Sequence, residues 1–163
     1  MQIKIVAISK DNLEGALSVW NEVVIAGKAF PQLNTLNKDD GFNFFMSQSY
    51  TGVAINIDTG EVVGLYILHP NNIGRCGHIC NASYAVNSKH RGLHIGELLV
   101  THCINKAKEL SFKILQFNAV VASNTPALSL YKKLGFTRLG TIPNGFLNKD
   151  NNYEDIIVHY LEL

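Results

Sequence analysis

The segment Lys89-His90-Arg91-Gly92-Leu93-His94-Ile95-Gly96 places basic and titratable side chains beside two glycines, between an expected strand and an expected helix. Main-chain N–H groups at such a junction have no partner of their own, and the helix dipole adds about half a positive charge there. That chemistry suits a phosphate or pyrophosphate. No Asp or Glu stands between Glu61 and Glu97 to oppose the anion. The same letters would also serve a solvated basic turn. Two nucleotide motifs are excluded: no Lys-Ser or Lys-Thr follows the last glycine as in a P-loop. His94 and Gly96 also fail to complete the three-glycine dinucleotide spacing.

A second stretch, Asn124-Thr125-Pro126-Ala127-Leu128-Ser129-Leu130-Tyr131-Lys132-Lys133-Leu134-Gly135-Phe136, holds one more group of chemical interest, the Tyr131 phenol. By spacing alone Tyr131 shares a helical stripe with Ala127 and Leu134, which reads as core. Cys76, His78 and Cys80 sit close together but lack a fourth partner at metal spacing, so no metal is expected. Cys80 has no paired base and reads as a small buried hydrophobe.

The elements that must position these groups follow from periodicity. Residues 3–8 read as a strand, and Asp11 is expected to cap a helix carrying Leu13, Ala16, Leu17, Trp20 and Val24 up to Gly27. Phe30-Pro31 opens a loop, and Asn37 with Asp40 starts a short helix bearing Phe42, Phe45 and Met46. Val53, Ile55 and Ile57 then alternate as a strand, Asp58-Thr59-Gly60 turns, and residues 62–68 return as a hairpin. Residues 78–86 form a further strand and a helix follows Gly96. Residues 113–121, apolar on both faces, suit a covered central strand. Thr125 with Pro126 is expected to cap the next helix, which Gly135 ends. Residues 136–142 and 153–161 supply two last strands. The order β-α-α-β-β-β-α-β-α-β-β predicts an α/β fold, a mixed and mostly antiparallel sheet with helices on both faces.

The chain has 163 residues and 18.0 kDa, which fits one domain spanning 1–163. A hydrophobic fraction of 47% with 17% charged residues describes a folded chain. The net charge of +1 argues against a general nucleic-acid binder, which needs a basic excess. No apolar run approaches the roughly 20 residues that span a bilayer. Three cysteines without a disulfide-like spacing, and no signal-peptide pattern, point to the cytoplasm.

The two stretches together resemble the GNAT superfamily of acetyl-CoA-dependent N-acyltransferases. There an Arg/Gln-x-x-Gly-x-Gly/Ala turn precedes, one strand earlier, an Asn-x-x-Ala-x-x-Leu-Tyr-x-x-x-Gly-Phe helix. The match covers about residues 52–142, and the element order fits across the chain. The resemblance implies an N-acetyltransferase with acetyl-CoA as co-substrate and no metal. Main-chain amides of Arg91, Gly92, Leu93, His94, Ile95 and Gly96 would hold the pyrophosphate. Tyr84 and Val86 would pair with the pantetheine arm where the fourth and fifth strands splay, and an N–H near Val86 would face the thioester oxygen. Asn124 would touch the cofactor, and Tyr131 would act as the acid for the leaving thiolate. His94 replaces the family's middle glycine; a backbone of negative φ is expected to accommodate it, with the imidazole either turned from the phosphates or in contact with them.

Many relatives carry a carboxylate where Asn81 stands, and Asn81 cannot accept a proton although it can position a water. The base is left open among His78, Asp155, His159 and water, and Asp155 could instead bind an acceptor ammonium. Phe30, Phe42, Phe45 and Tyr50 lie in the segment that walls the acceptor cleft in relatives, with Phe30 a candidate contact and most of them core. The loop 142–146 is expected to close that cleft. The acceptor implied is a primary amine of a small molecule. A protein N-terminus or lysine, a non-catalytic acyl-CoA sensor, and a module for another nucleotide are the competing readings. Exposed strand edges suit a homodimer.

Overall fold

Alternating apolar residues build the sheet, and helical stripes cover it on both sides. The computed structural model describes residues 1–163. Its elements are β1 (Ile3–Ala7), α1 (Leu13–Ala26), α2 (Lys38–Met46), β2 (Tyr50–Asn56), β3 (Val62–Pro70), β4 (Ile79–Val86), α3 (Ile95–Glu109), β5 (Ile114–Val121), α4 (Thr125–Lys133), β6 (Thr137–Leu147) and β7 (Tyr153–Glu162). The seven strands form one sheet in the order β1-β2-β3-β4-β5-β7-β6. Only β4 and β5 run parallel; every other neighbouring pair is antiparallel.

The two faces bury separate cores. Trp20 of α1, fully buried, packs on Phe30 at 4.5 Å, Phe44 at 5.3 Å and Phe45 at 5.7 Å between ring centroids. Leu65, Ile67 and Ala85 meet that cluster from the sheet. On the opposite face Ile95, Leu99, Val100, Cys103 and Ala107 of α3 pack on Tyr66, Leu68, Cys80 and Leu115. Phe30 therefore belongs to the α1 core. Phe45 shares that core, and Tyr50 lies on the α3 side beside Tyr66 and His102.

Several boundaries differ from expectation for identifiable reasons. The residue before α1 is Asn12, not Asp11, and it makes no helix cap. Its carboxamide accepts the Ser9 N–H at 2.9 Å and donates to the Ala7 carbonyl at 3.0 Å, tying β1 to α1. Asn37 does cap α2, accepting the Asp40 N–H at 2.8 Å and donating to the Asp40 carboxylate at 2.8 Å. The cap of α4 is Asn124, whose Oδ1 accepts the Ala127 N–H at 3.4 Å, while Thr125 is already helical. The loop expected at 142–146 is part of β6. A register shift between Ile142 and Phe146 absorbs the extra residues, so the strand runs on to Leu147.

Candidate active site

The parallel pair β4–β5 is hydrogen-bonded only at its start, with Ile79 opposite Ile114 and Cys80 opposite Leu115. Beyond it the strands part, and β5 pairs only with β7. The Lys113 N–H donates to the His78 carbonyl at 2.9 Å, and the Asn87 N–H donates to the Val63 carbonyl of β3 at 2.9 Å. Strand alternation then turns the main-chain groups of Ala82, Tyr84 and Val86 into the gap. The Ala82 N–H is taken by Asn81 Oδ1 at 2.8 Å. Tyr84 and Val86 remain for a ligand. The rings of Tyr84 and Phe117 meet edge to face at 5.7 Å between the two lips.

At the far end of β4 a single 3-10 turn, Ser88–His90, leads to α3. Two outside carboxylates hold this loop. Glu22 of α1 accepts the Ser88 N–H at 3.3 Å, and Glu61 lies 3.6 Å from His90 Nε2. The Ser88 hydrogen bond, helped by Arg91 and Lys89, keeps the Glu22 carboxyl below the usual range. Gly92 has φ 78°, which lets the chain double back before the helix. None of the main-chain N–H groups of residues 92–97 finds an acceptor in the protein; the first helical bond is Leu98 N–H to His94 carbonyl at 3.2 Å. A row of free donors thus opens α3 beside Arg91.

His94 departs from expectation. Its φ is 60° and ψ 13°, the left-handed conformation that a glycine adopts at no steric cost. The imidazole does point away from the donors: it is 81% exposed, with Nδ1 at 3.5 Å from Glu97 Oε2. Glu97 also binds Lys133 at 2.7 Å, and that lysine is the main reason its carboxyl titrates low. A left-handed non-glycine residue costs about 1–2 kcal/mol, partly offset by the lower entropy of the unfolded chain. His94→Gly is therefore expected to raise stability by about 0.5–1 kcal/mol in denaturant titration. Ligand affinity at the loop should stay within about twofold, or 0.4 kcal/mol, since every N–H is retained. A less stable variant would show that the imidazole contact outweighs the backbone strain.

The free donors and the splayed lips line one cleft of about 810 Å³. It brings together Tyr84, Val86, Arg91, Gly92, His94, Ile95, Gly96, Asn124 and Tyr131, the greater part of the residues marked from sequence. Leu93 sits on the exposed outside of the loop. The Tyr131 ring packs on Phe117 at 4.6 Å and Phe136 at 5.4 Å, with His159 edge-on at 5.8 Å. Tyr131 is thus both core and cleft wall. Burial pushes its phenol well above the usual tyrosine range, which keeps it protonated. Burial likewise lowers His159, which stays neutral inside the core.

Other marked residues lie elsewhere. His78 is exposed just before β4, outside the cleft lining, and Tyr84 is about 20 Å further along the strand. Asp155 accepts the N–H of Asn144, whose φ is 55°, at 3.0 Å, so its carboxylate props the β6 irregularity. Asn81 stands on the α1 face at the point where the lips part, directly opposite His69 of β3. Cys80 is buried, donates to the Ile114 carbonyl at 3.2 Å, and has its thiol pushed up to about 12 by burial. It is no nucleophile. No three His, Cys, Asp or Glu side chains are grouped to hold a metal, and no helix is long and apolar enough to cross a membrane.

Sequence reasoning missed Glu22 and the part of the cleft built by Val23, Ala26, Lys28, Ala29 and Lys149. These residues come from the end of α1 and the turn between β6 and β7. No local pattern marks such a meeting; only the tertiary fold brings it about.

Known proteins share this arrangement. The profile of the acetyltransferase (GNAT) family matches residues 23–136, from the last turn of α1 to just past α4. The chain is 28% identical over 168 residues to the N-acetyltransferase aca1 of Schizosaccharomyces pombe, covering 93% of this chain and 80% of that one. A GCN5-related N-acetyltransferase from Kribbella flavida superposes with a TM-score of 0.90 at 30% identity, over 99% of this chain and 98% of that one. The yncA protein of Salmonella typhimurium, determined with acetyl-CoA, has the same fold at a TM-score of 0.91 and 17% identity, over 100% and 95% of the two chains.

Proposed function

The chain belongs to the GNAT acetyltransferase family, and on that footing we propose that it moves an acetyl group from acetyl-CoA directly to a primary amine of a small molecule. One observation carries the reading: the unpartnered N–H groups of residues 92–97 and the gap-facing main chain of Tyr84 and Val86 line a single cleft. The first suits a diphosphate and the second an amide-bearing arm, so the residues present fit the two halves of coenzyme A.

In this reading acetyl-CoA supplies the reactive thioester, and the chain supplies position and charge stabilisation. The Val86 N–H donates to the thioester oxygen as negative charge collects there. The amine nitrogen forms the new N–C bond, the C–S bond breaks, and Tyr131 donates its proton to the departing sulfur. The proton released by the amine passes to water near Asn81, and water restores the Tyr131 proton.

The lip where the amine would arrive carries Asn81, Ser83, Gln116 and Asn118, all neutral. A site without a carboxylate there favours an acceptor that is partly neutral on its own. An α-amino group of pKa near 7.7–8.0 is about 10–20% free at pH 7, a lysine side chain less than ~0.1%. The edge strand β6 exposes Leu139, Ile142 and Leu147, and a homodimer through that edge forms part of the proposal. The test is a thermal-shift measurement with acetyl-CoA, ATP and NAD, followed by thiol release over a set of amines. Stabilisation by acetyl-CoA alone, with amine-dependent thiol release, is the expected result. Preference for ATP or NAD, or tight acetyl-CoA binding with no thiol release against any amine, would remove it.

A further inference from the structure

Four aromatic rings line up across the α3 face of the sheet beneath the splay. Tyr66 of β3 stands opposite Tyr84 of β4, with ring centroids 6.0 Å apart. Tyr84 meets Phe117 of β5 at 5.7 Å, and Phe117 meets Tyr131 of α4 at 4.6 Å. The row crosses from one lip to the other. It closes, on the α3 side, the gap that opens where β4–β5 pairing stops. On the α1 side the same lips carry Asn81, Ser83, Gln116 and Asn118, all polar, which alternate with the residues of the α3 core.

Tyr84 is the member of the row next to the thioester position at Val86. As a whole the residue is half-buried and lines the cleft, yet its hydroxyl oxygen is fully buried. Its main chain and near ring edge therefore face the ligand, while the rest of the ring runs inward. The hydroxyl ends against the Cys103 thiol of α3 and finds no partner of hydrogen-bond geometry. A buried hydroxyl without a partner is unfavourable, so the packing of the ring is what holds the phenol there. At the point of contact α3 offers only the small side chain of Cys103, itself fully buried. One ring, and not the helix, fills the interior under the gap.

We propose that the Tyr84 ring is the floor of the acyl site and limits the transferred group to acetyl. The inference rests on the acetyl-CoA reading of the cleft and adds to it the residue that selects the acyl chain. Coenzyme A would enter from the donors that open α3, so its acyl end lies deepest, pointing from Val86 back along β4 to Tyr84. A methyl group fits between the lips. A longer chain has two ways to go. Towards α3 it meets a close-packed ring that cannot yield without overpacking its neighbours. Towards α1 it lies on the polar lip, where it buries no apolar surface and fills the approach of the amine.

The test reads affinity, which needs no amine. Calorimetry on the full chain and its variants compares coenzyme A, acetyl-CoA, butyryl-CoA and hexanoyl-CoA. In the parent, hexanoyl-CoA should bind no tighter than acetyl-CoA. Tyr84→Ala removes the ring and leaves an apolar cavity, of the kind that stays dry and takes up hydrocarbon. Each methylene buried there adds about fourfold in affinity, so this variant should bind hexanoyl-CoA at least about 20-fold tighter than acetyl-CoA. Its Tm should also rise more with hexanoyl-CoA than with acetyl-CoA at equal concentration. Tyr84→Phe keeps the ring and should keep the parent's order of affinities. Tyr84→Leu is a milder trim and carries the test if the alanine variant does not fold. It should favour butyryl-CoA over acetyl-CoA by about fourfold or more. A parent that gains affinity with each added carbon, or trimmed variants that show no gain, would overturn the proposal. So would a phenylalanine variant that behaves like the alanine one. A parent that does not bind coenzyme A at all would instead refute the cofactor reading beneath it.

Discussion

Val86→Pro is expected to lower kcat by about 10²–10³-fold, or 2.7–4 kcal/mol of barrier, the effect of losing one oxyanion donor. The substitution is chemically narrow because of strand alternation. Asn87 bonds to β3 through its N–H, so the N–H of Val86 faces the gap and belongs to no ladder. Proline is tolerated in a strand where the missing N–H faced away from a partner, and the preceding Ala85 is already extended. The fold should therefore survive, with stability changed by about 1 kcal/mol or less. Val86→Ala keeps the donor and trims the side chain, so its turnover should stay within about threefold, or 0.65 kcal/mol, of the parent. Steady-state kinetics with saturating acetyl-CoA read the difference. Similar kcat values for the proline and alanine variants would show that the donor to the thioester oxygen lies elsewhere.

What could be read from the sequence divides by the range of the interactions concerned. Elements set by local chemistry were legible: Gly27 ends α1, Asn37 opens α2, and Asp58-Thr59-Gly60 turns the β2–β3 hairpin. The two motif segments were legible as a turn with free main-chain donors and a tyrosine-bearing helix because each lies within a short run of chain. The β4–β5 splay was implied only by resemblance, since no residue in either strand announces where pairing stops.

Errors arose where one residue type can serve two geometries. Asn124 and Thr125 can both cap a helix, and Asn124 does so. His94 fits a helix start of either sign of φ on paper, and the chain takes the positive one. Residues 142–146 read as a loop because Pro143, Asn144 and Gly145 are turn formers, yet a register shift lets β6 carry them. The tie of Asp155 to Asn144 was not legible because it is a contact between strands. Glu22 and Lys149 went unmarked for the same reason: each acts on a partner more than sixty residues away in sequence.

Tyr131→Phe is expected to lower kcat about 100-fold, or 2.7 kcal/mol, within the range for losing a positioned acid. Acetyl-CoA affinity should change little. The Tyr131 ring does the packing, against Phe117 and Phe136, and phenylalanine preserves it. Burial raises the phenol's pKa, and the sign of that shift matters. An acid must hold its proton to donate it, so a raised pKa extends the active form to higher pH. The alkaline limb of kcat from this group should lie above the ordinary tyrosine value of about 10. The role also predicts how the defect depends on the leaving group. A thiol of low pKa departs as its anion without help, so an aryl thioester should shrink the deficit of Tyr131→Phe to about tenfold or less, or 1.4 kcal/mol. A deficit that stays the same for acetyl-CoA and for the aryl thioester would place Tyr131 in the packing of the cleft and not in proton transfer.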